Sequence, residues 1–170
     1  MDLNKYIRDI PDFPTRGVVF KDITPLLKNA EAFQKASNSL LSLIKDKKID
    51  KVVGMESRGF FFASLLAVDL NAGFVPIRKK GKLPYTTLSK SYSLEYGKDV
   101  LEMHSDAINK GDRVLVHDDV LATGGTARAV CDLIEEAGGI IVQCNFLLEL
   151  DFLNGRKRLK RYDVKSLLQY

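Results

Sequence analysis

The 170-residue sequence predicts an α/β fold in which a central, mostly parallel sheet is flanked by helices. Three observations lead there. Short apolar runs alternate with longer stretches that carry apolar residues at three- and four-residue spacing, the pattern of βαβ units. Val114-Leu115-Val116 is apolar and rich in β-branched residues, as suits a strand buried on both faces of a parallel sheet. That strand then leads through two acids, Asp118 and Asp119, into Ala122-Thr123-Gly124-Gly125-Thr126, a turn with almost no side-chain bulk that precedes a helix.

Taken in order, Asn29 is a candidate cap for a helix from Ala30 to Lys47, with Phe33, Ala36, Leu40, Leu41 and Ile44 on one face. Lys51 to Met55 reads as a strand, Gly59 to about Leu70 as a helix with a nearly continuous apolar face, and Gly73 to Ile77 as the next strand. Tyr85 to Glu102 breaks the rhythm with turn residues and alternating Tyr92, Leu94 and Tyr96, which reads as a β-hairpin arm. Arg113 to His117 is then a strand. Thr126 to Ala137 follows as a helix, with Ala127, Val130, Cys131, Ile134 and Ala137 on one face and Gly138-Gly139 as its stop. Ile140 to Leu150 is another strand, and about Val164 to Leu168 a last one whose place in the sheet is open. Parallel strands joined by right-handed helical crossovers are the expected architecture.

Asp118 and Asp119 fall at the end of a strand, where open α/β sheets bind ligands. Two adjacent carboxylates there repel each other and lose hydration, so they call for hydrogen-bond donors such as vicinal ribose hydroxyls. The turn from Ala122 to Thr126 offers successive backbone amides, two hydroxyls and a helix N-terminus, which together make an anion cradle. The helix dipole alone contributes only about 0.3–1 kcal/mol to holding an anion, so the hydrogen bonds carry most of the load. The other reading is an ordinary strand-turn-helix junction with Thr126 as N-cap. No G-x-x-x-x-G-K-[ST] occurs, and no G-x-G-x-x-G follows a strand, which excludes the P-loop and dinucleotide fingerprints.

Acid, acid, apolar pair and Ala-Thr-Gly-Gly-Thr after a strand resembles the phosphoribosyl-pyrophosphate (PRPP) motif of the type I phosphoribosyltransferases. The resemblance implies that family's fold, with a small N-terminal hood and a flexible β-hairpin arm: one domain over 1–170, the hood about 1–28, the core about 29–150 and a C-terminal strand region about 151–170. Segments from Phe13 to Pro25, Glu56 to Phe60, Arg78 to Pro84 and Ser91 to Lys98 narrow the resemblance to the adenine-specific branch, which forms AMP and pyrophosphate from adenine and PRPP in purine salvage. His117 departs from the usual aliphatic residue and reads as a half-buried strand histidine with a local partner.

The resemblance implies roles residue by residue. Asp118 and Asp119 would grip the ribose hydroxyls, directly or through metal-bound water. Ala122, Thr123, Gly124, Gly125 and Thr126 would hold the 5′-phosphate. Ser57 and Arg58, with Arg78, Lys79 and Lys82 just after the strand ending at Ile77, would bind pyrophosphate. The backbone of Val19 would read the adenine edge and Phe20 would pack on its face. Lys21 stands where many relatives have arginine and lacks the planar fork. Glu95, beside Tyr96 in the arm, would assist proton transfer at the purine. Mg2+ would be held mainly by PRPP oxygens, with few protein carboxylates on the metal.

Composition sets the outer bounds. With 45% hydrophobic residues the chain suits a single ordinary domain, able to bury roughly 70% of its unfolded surface. No signal peptide or membrane span is evident, so a cytoplasmic enzyme is expected. Cys131 and Cys144 lie in apolar patterns without metal-ligand spacing and read as reduced core residues. A net charge of +4 fits either nucleic acid or a polyanionic sugar phosphate. Arg156-Lys157-Arg158-Leu159-Lys160-Arg161 favours a PRPP-sensing regulator that binds nucleic acid, but it lacks interleaved aromatics and reads as a solvated end or dimer rim. A 6-oxopurine transferase is the other alternative. The resemblance also implies a homodimer; without an apolar span no membrane partner is expected, and the pattern of the basic run disfavours a nucleic-acid partner.

Overall fold

The structure, a computed structural model, describes residues 1–44, 47–94 and 97–170, with side chains described outside 93–98. The chain divides into two compact units, Met1–Ser39 and Leu40–Tyr170.

In the first unit, strands β1 (Arg8–Pro11) and β2 (Val19–Asp22) form an antiparallel hairpin with Ile10 opposite Phe20. Arg8 clamps it through Asp22, whose oxygen also caps the amide of Thr24 at the start of α1 (Thr24–Lys28). Asn29 then caps helix α2 (Ala30–Ser42) by accepting from the Ala32 amide at 2.9 Å. The helix is shorter than the expected span to Lys47. The amides of Leu43 and Ile44 bond to carbonyls only three residues back, which tightens and ends the last turn.

In the second unit, seven strands form one sheet among the described residues. They are β3 (Lys51–Met55), β4 (Gly73–Lys79), β5 (Thr87–Leu94), β6 (Gly97–His104), β7 (Arg113–Leu121), β8 (Ile140–Glu149) and β9 (Val164–Gln169), in the spatial order β5-β6-β4-β3-β7-β8-β9. From β4 to β9 neighbouring strands are parallel, while β6 joins β4 and β5 antiparallel. Helices α3 (Gly59–Asp69) and α4 (Gly125–Glu136) are the crossovers that parallel pairing requires. The α4 side of the core buries Val53, Ile77, Val116, Val130, Ile134 and Phe146.

Three boundaries differ from expectation, two of them because a neighbouring strand extends the pairing. β4 continues through Lys79, since Arg78 and Lys79 pair with Glu102 and Leu101 of β6. Both basic residues thus stand on the strand rather than after it. β7 runs on to Leu121 because β8 stays alongside, with Asp118 opposite Phe146 and Leu121 opposite Glu149. The two acids therefore belong to the strand itself. Helix α4 starts at Gly125, capped by Gly124 in the left-handed region at φ +78°, so Thr126 is not its N-cap. The last strand, β9, joins the sheet beside β8.

His117 is fully buried rather than half-buried. It lies edge-on to Phe62 of α3 and within 2.6 Å of Asn145 on β8. Burial lowers its pKa from 6.5 to about 4, against its hydrogen bonding to Asn145. Between those two values the unfolded chain binds a proton that the folded chain does not. Its contribution is thus complete above pH 6.5 and is lost as pH falls toward 4, by up to about 3 kcal/mol. Urea unfolding of wild type and His117→Gln at pH 7 and pH 4.5 checks this. The wild type is expected to lose more stability on acidification than the variant, and equal losses would contradict the assignment.

Candidate active site

Where β7 ends, the backbone turns through Ala122-Thr123-Gly124 into α4. A cavity of about 70 Å³ opens there, lined by Asp118, Val120 and the continuous run Leu121 to Ala127. The structure therefore brings Asp118, Ala122, Thr123, Gly124, Gly125 and Thr126 to one pocket. The first amides of α4 have no carbonyl of their own helix to bond, and they lie in its lining. The left-handed Gly124 makes the sharp entry possible, since a side chain there would be strained.

The two acids take different partners. Asp118 lines the pocket, whereas Asp119, only 4% exposed, lies 2.8 Å from Nε of Arg58 at the head of α3. The two carboxyls nevertheless stay within hydrogen-bond reach of each other, so the difference between them lies in their other partners. The contact with Arg58 is an ion pair by distance, and no hydrogen bond reaches Oδ2 of Asp119. Burial raises the pKa of Asp119 against the pull of Arg58. Burial, together with the adjacent charge of Asp119, pushes the Asp118 carboxyl well above the usual range. Oδ1 of Asp118 accepts from the Asp119 amide at 2.9 Å. Such a carboxyl is short of donors and gains from a ligand that supplies them. Gly59 permits this packing, because a Cβ there would lie 2.7 Å from Oδ1 of Asp118.

A second group gathers where β3 and β4 end. Glu56, which follows β3, accepts from the Lys79 amide at 2.9 Å, lies 3.4 Å from Nε of Arg78 and pairs with Lys82. Burial opposes ionisation of Glu56, but the bonds from Lys82 and the Lys79 amide hold its pKa below the ordinary value. Lys79 reaches Asp99 of β6 at 3.3 Å, and the amide of Gly81 reaches Glu102 at 2.9 Å. Ser57 is exposed in the turn between Glu56 and α3. The cations expected to meet pyrophosphate are thus gathered near the ends of β3 and β4, each of Arg58, Arg78, Lys79 and Lys82 already beside a carboxylate.

Glu56 is a residue that sequence reasoning quoted within a motif but gave no role. An acid among phosphate-binding cations looks misplaced until its partners across the sheet are seen. Tyr92 of β5, which the sequence offers only within an alternation and the segment from Ser91 to Lys98, brings its hydroxyl to Thr126 of the turn and to 3.4 Å from Asp99. Glu95 and Tyr96 lie outside the described residues.

In the first unit, Val19 is about half exposed on β2, and Phe20 packs edge-on against Phe13 with centroids 5.2 Å apart. Lys21 lies 2.7 Å from Asp9 on β1. Among the described residues no cluster of three or more His, Cys, Asp or Glu side chains could hold a metal ion, and no helix is long and apolar enough to cross a membrane.

Comparison with known proteins places this geometry. The phosphoribosyl transferase domain model matches residues 23–169. An adenine phosphoribosyltransferase from Flavobacterium johnsoniae is 64% identical over all of both chains. The crystal structure of the adenine phosphoribosyltransferase from Rhodothermus marinus superposes with a TM-score of 0.95 at 57% identity, covering 99% of this chain and 96% of the other. That from Saccharomyces cerevisiae, complexed with adenine and an imino-altritol bisphosphate, gives 0.92 at 41% identity over 97% and 96% of the two chains. With a pocket of backbone amides at the end of β7 and a match that runs nearly from end to end, the chain belongs to the phosphoribosyltransferase family, among its adenine phosphoribosyltransferases.

Proposed function

We propose that this chain catalyses transfer of the 5-phosphoribosyl group from PRPP to adenine, giving AMP and pyrophosphate. The observation that carries this reading is the pocket of Asp118 and the turn 122–126, in a chain 64% identical to a named adenine phosphoribosyltransferase. Its size suits a single phosphate group, with the rest of the substrate lying outside it.

Displacement forms a bond from adenine nitrogen to the anomeric carbon, breaks the bond from that carbon to pyrophosphate oxygen, and releases the proton of the attacking nitrogen. Positive charge builds on the ribose as negative charge leaves with pyrophosphate, so the site must hold the two ends apart and stabilise both. Amides of the turn and the hydroxyls of Thr123 and Thr126 hold the 5′-phosphate. Asp118, half-buried and short of donors, takes the ribose hydroxyls. Asp119 acts beside it by holding Arg58. Arg58, Arg78, Lys79 and Lys82, with Ser57 in the turn, receive the pyrophosphate as their contacts to Asp119, Glu56 and Asp99 give way. Val19, Phe20 and Lys21 read the base. Glu95 assists the proton transfer.

Mg2+ would be held mainly by PRPP oxygens, and Asp118, whose hard carboxylate oxygens line the pocket, and Asp119 beside it would reach the metal only through its bound water. When bound with PRPP it would supply charge neutralisation for the leaving group. The two unlinked cysteines, whose Sγ atoms lie 3.7 Å apart in the core, suit a reducing compartment such as the cytoplasm.

Turnover of labelled adenine with PRPP and Mg2+, in competition with hypoxanthine, guanine and xanthine, tests the reaction. AMP is the expected product, and preference for a 6-oxopurine would contradict the base assignment. In the same assay Glu95→Gln is expected to lower kcat by about 10²-fold with a smaller change in the KM for PRPP. An unchanged kcat would remove its role.

A homodimer belongs to the same reading. Helix α3 is apolar apart from Ser64 and Asp69, and Phe61, Leu65 and Val68 expose an apolar stripe, Val68 at 78%. A second copy of the chain is what such a stripe fits. Sedimentation equilibrium is expected to give twice the chain mass for wild type and a single mass for Val68→Glu. A monomeric wild type would contradict this.

A further inference from the structure

The basic run 156–161 is not a solvated edge along its whole length. Arg156 donates through Nε to both oxygens of the buried Glu149, at 2.7 and 2.9 Å, and through Nη1 to the carbonyl of Val164 at 2.9 Å. Ser166 donates to the same Glu149 carboxylate at 2.7 Å. Leu159 is fully buried in the α4 side of the core. Arg161 donates to both oxygens of Glu135 on α4, and the Tyr162 hydroxyl donates to one of them at 3.1 Å. The segment following β8 is therefore fastened at one end to β8 and β9 and at the other to α4.

Gly155 begins this fastened segment. A Cβ built on it would lie 2.3 Å from the carbonyl oxygen of Ala122, and one built on Gly124 would lie 2.5 Å from the carbonyl oxygen of Gly155. Both collisions are with backbone, so no side chain can rotate to relieve them. Gly155 is not in the left-handed region. Its backbone conformation does not require glycine, but the space beside the turn does.

We propose that Gly155 is a positioning residue for the phosphate turn: its bare Cα, pinned from behind by Arg156, sets where Ala122 to Gly124 lie and thereby where the amides at the head of α4 converge on the phosphate. The segment that favoured a nucleic-acid partner thus has an internal task in two of its arginines. This inference rests on the reading of the turn as the seat of the nucleotide phosphate.

The test is calorimetry with AMP and steady-state kinetics on the full-length wild type, Gly155→Ala and Arg156→Lys, with thermal unfolding beside them. Gly155→Ala is expected to raise the Kd for AMP and the KM for PRPP roughly tenfold or more, since misplacement by an ångström costs up to ~10²-fold, while the KM for adenine stays within about twofold. Arg156→Lys loses the planar fork that grips Glu149 and should shift the same two constants in the same direction by a smaller factor. If Gly155→Ala does not fold, Arg156→Lys decides alone. Lower melting temperatures with unchanged Kd for AMP and KM for PRPP would overturn the inference and leave the proposed reaction standing. A wild type that binds no AMP would overturn the reading of the turn, and the inference with it.

Discussion

The turn after β7 is built where two stretches of backbone touch with no side chain between them. Gly124 and Gly155 lie so close that a single carbon on either would meet the other segment's carbonyl region. Interiors are packed too tightly to absorb that displacement without moving something. What would move is the junction that aims the head of α4. The strand before it, the helix after it and the C-terminal segment behind it share one constraint, and the pocket is its visible result.

Charge is organised around this pocket by pairing rather than by accumulation. Four cations gather near the ends of β3 and β4, and each has a carboxylate beside it: Asp119 for Arg58, Glu56 for Arg78 and Lys82, and Asp99 for Lys79. A cluster without those acids would repel itself and scatter into solvent. With them, the cations are held within reach of the site at the cost of a competition that an incoming pyrophosphate must win. A polyanion with several charge-assisted contacts can win it, because most of these pairs are partly exposed and individually weak. Glu56, the most buried of these partners after Asp119, thereby orients the group without being a ligand for any anion itself.

Much of this was legible in the sequence, for reasons that differ by element. β3 and α3 stand where periodicity put them, because their burial pattern is set by the sheet faces alone. The turn 122–126 was legible because small residues and hydroxyls after a strand have few other uses. The ends of β4 and β7 were not, since Lys79 and Leu121 are strand residues only by virtue of β6 and β8 alongside. The division of labour between Asp118 and Asp119 depends on Arg58, a partner remote in sequence, and on β7 continuing through both acids. Glu56 and Gly155 were hidden for a shared reason. Each acts through partners remote in sequence, Arg78 and Lys82 for one and Ala122 and Gly124 for the other.

The central claim is that the 5′-phosphate of the nucleotide sits on the amides where β7 passes into α4. A crystal of the protein grown with AMP tests it most directly. The account predicts phosphate density enclosed by residues 122–126, with the ribose hydroxyls directed toward Asp118. Nucleotide density elsewhere, with that turn holding only solvent, would contradict it.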